Sequence, residues 1–331
     1  MDEIARLAGV SKATVDRVLN HRAGVQEHTR AHVLAVAASL AGETRSAAPQ
    51  AIRLDFVLPG GENEFFADLA RHMERQARLR GDVDIAVHRV AGIDPEQIAA
   101  RLGSLRPGCR GVGLIGVDSP TVREAVRTLI GAGLPVLTLV SDISHVGRIN
   151  YVGIDNRAAG RLAGYLIGRF LPGASGKVAL LAGALAYRGH EEREMGFRHV
   201  LSESFPHLEI VAVREVQEDA GRACEEVRAL LGDHEDLLAI YCIGAGQEGV
   251  ARALVENRRE KSVIFVGHDL TDHTRQYLLN GVMDAAIDQN AQVEAREAID
   301  RLVRAVRNES NISQATVRIQ SVFRENIPVE I

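Results

Sequence analysis

The spacing of apolar positions changes once along the chain. From Ile4 to Leu40 apolar residues recur every three or four positions, the period of a helix that buries one face. Breaks at 9–11 and 20–24 divide this stretch into three short helices. Residues 42–51, GETRSAAPQA, are small and polar with one proline, which predicts a linker.

From residue 52 onward, short apolar runs alternate with amphipathic stretches. Apolar strands separated by helices indicate parallel sheets covered on both faces, so the predicted fold class is α/β. Because ten strands exceed a comfortable single twisted sheet, the pattern predicts two lobes. The predicted strands lie at 53–59, 83–89, 111–117, 135–141, 151–155, 177–183, 208–213, 237–243, 262–267 and 283–288, and the predicted helices at 64–80, 119–131, 156–170, 190–203, 219–232, 246–258 and 290–307.

Composition and charge exclude only a few classes of function. The formal net charge is −5, and residues 1–46 carry about one net positive charge, too weak an asymmetry to suggest a nucleic-acid partner alone. Cys109, Cys224 and Cys242 are odd in number and widely spaced, which indicates buried thiols in a reducing cytoplasm rather than disulfides or a metal site. The apolar runs are too short to span a bilayer. We expect a cytoplasmic protein with no metal, cofactor or catalytic site.

The sharpest motif is DEIARLAGVSKATVDRVLN, residues 2–20. A first helix ends near Gly9, and Ser11 is placed to cap a second helix. Two short helices joined by a tight turn that contains glycine are typical of a helix-turn-helix. Arg17 on the second helix could contact guanine in the major groove.

This segment resembles the lactose repressor (LacI) family. LAGVSKATVDRVLN, then HRAGVQEHTRAHVLAVAASL, a linker and a domain similar to type I periplasmic sugar-binding proteins cover nearly the whole chain. The resemblance implies a transcriptional repressor that binds an operator in double-stranded DNA as a homodimer and responds to a sugar or polyol. It implies Lys12, Ala13 and Arg17 as base-reading residues, and Thr14, Asn20, His21 and Thr29 as phosphate-positioning residues.

The N-terminal segment departs from the family pattern in three ways. Asp16 stands where the family usually has serine, and its carboxylate would repel phosphate unless it pairs with Arg17 or Lys12 or reflects a subfamily variant. The family's hinge pattern, which pries open the minor groove, is missing from residues 41–51. The residues that usually precede the first helix are also absent, which leaves an upstream start open.

The resemblance also implies a ligand site in the two-lobed domain. Asn63 and the adjoining phenylalanines would supply an amide and aromatic faces, which suit the polar edges and apolar faces of a sugar; one phenylalanine is expected in the core. Gly244 and Val140-Ser141 depart from residues common in relatives, so the ligand is expected to differ from theirs. The implied contacts are Asn63, Phe65, Phe66, Ser141, Asp142, Arg193, Asp269 and Gln289. Tyr187, Arg188 and His190 are additional candidates for specificity.

The domain boundaries follow from the pattern and the resemblance together. We predict a helix-turn-helix head at 1–41, a linker at 42–51 and an effector-binding and dimerisation domain at 52–331. Within that domain the first lobe takes about 52–154 and 284–311, and the second about 156–282 and 312–331.

Two other functions are compatible with parts of the sequence. GAGQEG, residues 244–249, matches GxGxxG between a strand and a helix, with Asp269 about 25 residues on, as in dinucleotide-binding enzymes. The segment lies late in the chain, whereas a dinucleotide fingerprint is expected in the first βαβ unit, and this position argues against the dinucleotide interpretation. A transporter's solute-binding protein would share the fold, but a helix-turn-helix stands where such proteins carry a secretory signal.

Overall fold

The computed structural model describes residues 1–20, 22–45, 51–61 and 63–329. They fall into two compact units, Met1–Ala51 and Ile52–Ile331. Among these residues, no helix is both long and apolar enough to cross a membrane.

The first unit contains three helices, α1 (Asp2–Leu7), α2 (Lys12–Leu19) and α3 (Glu27–Arg45). They enclose a small core in which Val15, Val18 and Val33 are fully buried. Helix α3 includes 42–45, which the sequence assigned to the linker; no proline occurs before residue 49, so nothing there ends the helix. Residues 46–50 of the predicted linker lie outside the described residues.

The first lobe of the second unit is built on a parallel five-stranded sheet in the order β2-β1-β3-β4-β5. Helix α12 returns from the far end of the chain to pack against α4 and this sheet. The elements are β1 (Ile52–Pro59), α4 (Glu64–Arg80), β2 (Val83–Val90), α5 (Pro95–Leu102), β3 (Gly111–Leu114), α6 (Pro120–Gly131), β4 (Val136–Leu139), β5 (Asn150–Val152) and α12 (Ala291–Val306).

The second lobe has six strands in the order β11-β10-β9-β8-β6-β7, parallel except for the β10–β11 pair. Its elements are α7 (Asn156–Phe170), β6 (Gly176–Ala182), α8 (Arg188–Ser204), β7 (Leu208–Glu215), α9 (Ala220–Asp233), β8 (Leu237–Cys242), α10 (Gln247–Glu256), β9 (Ile264–His268), α11 (Asp272–Asn280), β10 (Ala285–Asp288), β11 (Gln320–Val322) and a short 3₁₀ helix, Arg324–Asn326.

The α/β prediction with two lobes is confirmed, and all ten predicted strands occur close to their predicted positions. The short helices α5 and α11 and the three-residue strand β11 were missed. One predicted lobe boundary differs: β10 pairs with β9 in the second sheet, so the chain crosses back after Asp288. Residues 312–317 lie against the first lobe, where Val317 N donates to Gly153 O.

Helices α7 and α8 pack so closely that glycine is required between them. A β-carbon at Gly160 of α7 would overlap the carbonyl oxygen of Arg193 on α8, and one at Gly196 of α8 would overlap that of Arg157. This backbone contact determines the position of Arg193 relative to the strands of the second lobe.

We expect Gly160→Ala to destabilise the second unit by about 3 kcal/mol, because a methyl group there must push the two helices apart. Gly232→Ala is a matched control: Gly232 lies in helix α9, nothing lies within 4 Å of its added β-carbon, and the change should be neutral or slightly stabilising. Urea unfolding followed by circular dichroism measures both. Equal stability of the two variants would contradict the close packing.

Candidate functional site

Helix α2 presents predicted base-reading residues to solvent. Ser11 caps the helix: its Oγ accepts a hydrogen bond from Thr14 N at 3.1 Å and lies 2.9 Å from the Thr14 hydroxyl. Ala13 and Arg17 are exposed and lie one turn apart on the same face. Within the described residues the Arg17 side chain has no hydrogen bond or ion pair. Arg17 is therefore free to contact a base edge.

The partners of Asp16 differ from those predicted. Asp16 does not pair with Arg17 or Lys12; it accepts hydrogen bonds from Asn20 Nδ2 at 2.8 Å and from Arg22 Nη1 at 3.1 Å. The turn after α2 brings Arg22 back over the end of the helix, where its backbone N donates to Arg17 O. An arginine thus offsets the carboxylate that would otherwise repel DNA phosphate.

The other predicted DNA contacts lie near this helix or outside the described residues. Lys12 is exposed and forms an ion pair with Asp2. The Thr29 hydroxyl, at the start of α3, lies 3.2 Å from Nε2 of His28. His21 lies outside the described residues.

In the second unit, the ligand candidates come together where parallel strands end. Residues that follow the carboxyl ends of strands in both sheets line two adjoining cavities between the lobes. This is where ligands bind in open α/β sheets. The cleft is defined here by the residues common to both cavities, Asn63, Phe65, Glu218, Ala245 and Asp269.

A buried chain of hydrogen bonds forms the floor of the cleft. Arg193 Nε donates to Asn156 Oδ1 at 2.7 Å, Nη1 to Ile243 O at 2.8 Å and Nη2 to Gln289 Oε1 at 2.8 Å. Gln289 Nε2 in turn donates to Asp269 Oδ1 at 2.9 Å. Each nitrogen of the guanidinium has a protein acceptor, so the network holds Asp269 and Gln289 in place. Three predicted ligand residues therefore form one connected group.

Asp269 has an unusual backbone conformation and a raised side-chain pKa. Its backbone lies in the left-handed region, at φ 65°, and its side chain is buried. Burial raises the pKa of this carboxyl to about 7, although the Arg193 charge and the Gln289 hydrogen bond oppose the shift. Near neutral pH the carboxyl can accept or donate hydrogen bonds, as a ligand hydroxyl requires.

The aromatic side of the cleft starts at the first turn of α4. Asn63 caps α4 by accepting a hydrogen bond from Phe65 N at 3.0 Å, and its Nδ2 donates across the cleft to Glu218 Oε2 at 3.3 Å. Both Phe65 and Phe66 are buried and both line the smaller cavity, so neither belongs to the core alone. Phe66 meets Tyr187 edge to face, with ring centroids 6.4 Å apart.

Ser141 and Asp142 have different environments, although both were predicted to contact ligand. Ser141 lines the smaller cavity and its Oγ accepts from Gly189 N at 3.2 Å, which ties the first lobe to α8. Asp142 lines neither cavity of the cleft. It accepts a hydrogen bond from the Thr138 hydroxyl at 2.7 Å and pairs with Arg148. The carboxylate stabilises the loop after β4 instead.

Of the three additional candidates for specificity, two line the cleft and one does not. Tyr187 and His190 line the smaller cavity, whereas Arg188 points elsewhere and pairs with Glu192 at 2.8 Å. A β-carbon at Gly244 would lie 2.7 Å from His190 Nε2, so the imidazole occupies the space that a larger residue at 244 would need. Burial and the nearby Arg193 charge lower the pKa of His190 to about 3, so the ring is neutral.

Sequence reasoning missed Glu218 and proposed a rival use for GAGQEG. Glu218 follows β7 in a polar stretch, and no motif or periodicity in the sequence distinguishes it from its neighbours. In GAGQEG, Gly244 faces His190, while Asp269 is bound by Gln289. The residues that a dinucleotide fingerprint would use are thus part of the cleft. Among the described residues, no group of three or more potential ligands is arranged to hold a metal ion.

Two family models match the chain. The periplasmic binding protein domain matches residues 54–310, and the lacI family of bacterial regulatory proteins matches residues 1–41. The catabolite repressor/activator of Salmonella typhimurium is 41% identical over 97 residues, which cover 24% of this chain and 27% of that protein, so the chain matches about a quarter of that relative's length.

Two further comparisons cover most of the chain. The HTH-type transcriptional regulator MalR of Clostridium butyricum is 24% identical over 287 residues, 83% of this chain and 84% of that protein. The crystal structure of GanP, a glucose-galactose binding protein from Geobacillus stearothermophilus, superposes with a TM-score of 0.75 at 22% identity, covering 85% of this chain and 100% of that one. The structural likeness shows the two-lobed fold.

Asp269 should make the ligand-free protein less stable as the pH rises toward 7. Because its pKa is about 7 in the folded protein and 3.8 for an unperturbed carboxyl, the folded state holds a proton that the unfolded chain has released. This contribution to the free energy of unfolding is present at acid pH and is lost as the pH rises through 7. Asp269→Asn removes it, so the melting temperature of the variant should fall less than that of the wild type between about pH 5 and pH 8.

Asp233→Asn, at the exposed end of α9, is the control and should keep the wild-type pH dependence. Parallel melting curves for Asp269→Asn and the wild type would contradict a protonated, buried Asp269.

Proposed function

The chain belongs to the LacI/GalR type of bacterial regulator, with a periplasmic-binding-protein domain, and we propose that it represses transcription by binding an operator under the control of a sugar or polyol. The observation that carries this proposal is the presence in one chain of two sites: an exposed arginine on a helix-turn-helix and a polar, aromatic cleft between two lobes. The proposed role is non-enzymatic, and a protein that binds the bacterial chromosome acts in the cytoplasm.

The DNA-binding proposal assigns base reading to Lys12, Ala13 and Arg17. Arginine can form two parallel hydrogen bonds to guanine, which specify that base. Thr14, Asn20 and Thr29 would position the head on phosphate oxygens. His21 keeps the same proposed role from the family resemblance. Because one short helix contacts too few base pairs to define a site, we propose a homodimer on a palindromic operator.

The effector proposal places the ligand in the cleft. Asn63, Ser141, Asp269 and Gln289 offer donors and acceptors for hydroxyl groups, and Phe65 and Phe66 offer faces for the C–H surface of a sugar. Arg193 positions the polar floor. We leave Asp142 out of the binding set, because its carboxylate is used by Thr138 and Arg148. Ligand binding would favour one arrangement of the lobes, and a coupling of about 1–3 kcal/mol to DNA affinity is typical.

We expect Arg17→Ala to lower discrimination between operator and random DNA about 5- to 150-fold, because one bidentate base contact contributes about 1–3 kcal/mol. A duplex selected by the wild-type protein from a randomised pool serves as operator, and fluorescence anisotropy at fixed salt compares it with a scrambled duplex. Arg169→Ala, an exposed arginine of α7, controls for charge and should leave the ratio unchanged. An unchanged ratio for Arg17→Ala would refute base reading by this residue.

We expect Asp269→Ala to weaken effector binding about 10- to 150-fold, because hydrogen bonds that involve a charged group contribute about 1.5–3 kcal/mol. The test ligand is the compound that most raises the melting temperature in a screen of sugars, polyols and sugar phosphates. Calorimetry measures its affinity for the wild type, Asp269→Ala and the control Asp142→Asn, which should bind normally. Wild-type affinity in Asp269→Ala would exclude the cleft as the effector site.

A further inference from the structure

Glu218 is a half-buried carboxyl for which the described residues offer no cationic partner. It lies in the loop between β7 and α9, with Gln217 and Glu218 both in the left-handed region. Its one hydrogen bond within the described residues comes from the Asn63 amide across the cleft. Burial raises the pKa of this carboxyl, and the Asn63 hydrogen bond opposes the shift. The Glu218 side chain lines both cavities, so a ligand in either one would meet it.

The charged groups around the cleft are mostly acidic. Glu64, Glu218, Glu248 and Asp269 line the larger cavity, and its described lining contains no lysine or arginine. Glu64 has a partner in His273, whose Nδ1 lies 3.1 Å away. These carboxylates make the cleft unfavourable for an anion.

The guanidinium that lines the smaller cavity belongs to Arg193, and it makes no hydrogen bond to Glu218. Arg193 is the one arginine that lines this cavity, and it donates to Asn156, Ile243 and Gln289. Its charge acts on Asp269, which it partly compensates. Glu218 feels no comparable charge, so its carboxylate is the uncompensated one.

Aromatic rings lie beside this carboxylate. Phe65, Phe66 and Tyr187 line the same cavity as Glu218, and the charge of Glu218 raises the pKa of Tyr187 further, in addition to the effect of burial. An aromatic face attracts a cation through its quadrupole, and a neighbouring carboxylate adds direct attraction. A carboxylate and several rings around one small cavity are therefore complementary to an ammonium group.

We propose that the effector is a polyhydroxylated compound carrying a protonated amino group, such as an amino sugar, and that Glu218 binds this group. The inference rests on the proposed function, since it concerns the class of ligand in the same cleft. The hydroxyl groups would contact Asp269 and Gln289, and the ammonium group would replace the Asn63 amide as the partner of Glu218.

A thermal-shift screen of the full-length protein tests the proposal. The probes are pentoses, hexoses and polyols, each as the neutral compound, its amino derivative and its phosphate, for example D-glucose, D-glucosamine and D-glucose 6-phosphate. Amino derivatives should raise the melting temperature most, and calorimetry of the best pair should show the amino compound binding at least about tenfold tighter than its neutral parent, since charge-assisted hydrogen bonds are about twice as strong as neutral ones.

Variants then assign the preference to one side chain. Glu218→Gln should remove the preference for the amino compound while changing the affinity for the neutral parent by less than about threefold, because the amide still fits the loop and still accepts hydrogen bonds from hydroxyl groups. Glu209→Gln removes the same charge from an exposed position on β7 and should bind both compounds like the wild type.

The outcomes separate this inference from the broader proposal. Tighter binding of neutral or phosphorylated compounds, or a preference that survives Glu218→Gln, would overturn the amino-group assignment and leave effector binding intact. A panel in which no compound raises the melting temperature would overturn effector binding in the cleft as well.

Discussion

The buried guanidinium of Arg193 is the interaction on which the cleft depends. It joins the start of α7, the end of β8 and the residue after β10, through Asn156, Ile243 and Gln289. A charged group this deeply buried is stable only when its donors find acceptors, so these segments must keep their relative positions. Glycine at position 160 allows α7 and α8 to approach closely enough for that geometry.

The same network explains why the polar residues of the cleft can be both buried and available. The carboxyl of Asp269 is oriented by Gln289, which is oriented by Arg193, so one oxygen is held by the protein while the residue still lines both cavities. Pre-oriented groups lose little conformational entropy when a ligand binds. The first lobe contributes Asn63 at a helix cap, where its own oxygen is already used.

The sequence predicts the elements and most of the cleft, but not the partners of isolated side chains. Apolar periodicity is a property of whole segments, so it located ten strands. The predicted lobe boundary, which also drew on the family resemblance, put β10 in the first lobe, whereas β10 pairs with β9 in the second. Strand pairing is not encoded in one segment. For Asp16 the sequence offered only neighbours on its own helix as possible partners, whereas Arg22 reaches it because the chain turns back. No motif or periodicity in the sequence singles out Glu218. Its importance follows from residues that surround it in space.

A ligand that binds in this cleft replaces contacts that the protein already makes across it. Asn63 already bonds Glu218 across the cleft, and Glu64 pairs with His273 between the same lobes. A ligand that enters between the lobes must therefore replace the Asn63–Glu218 hydrogen bond with contacts that are stronger, since only the difference contributes to affinity. A neutral hydroxyl offers Glu218 little more than the Asn63 amide does, whereas a cation adds an attraction that none of the described groups around Glu218 supplies. This difference is what would allow the cleft to discriminate between similar sugars.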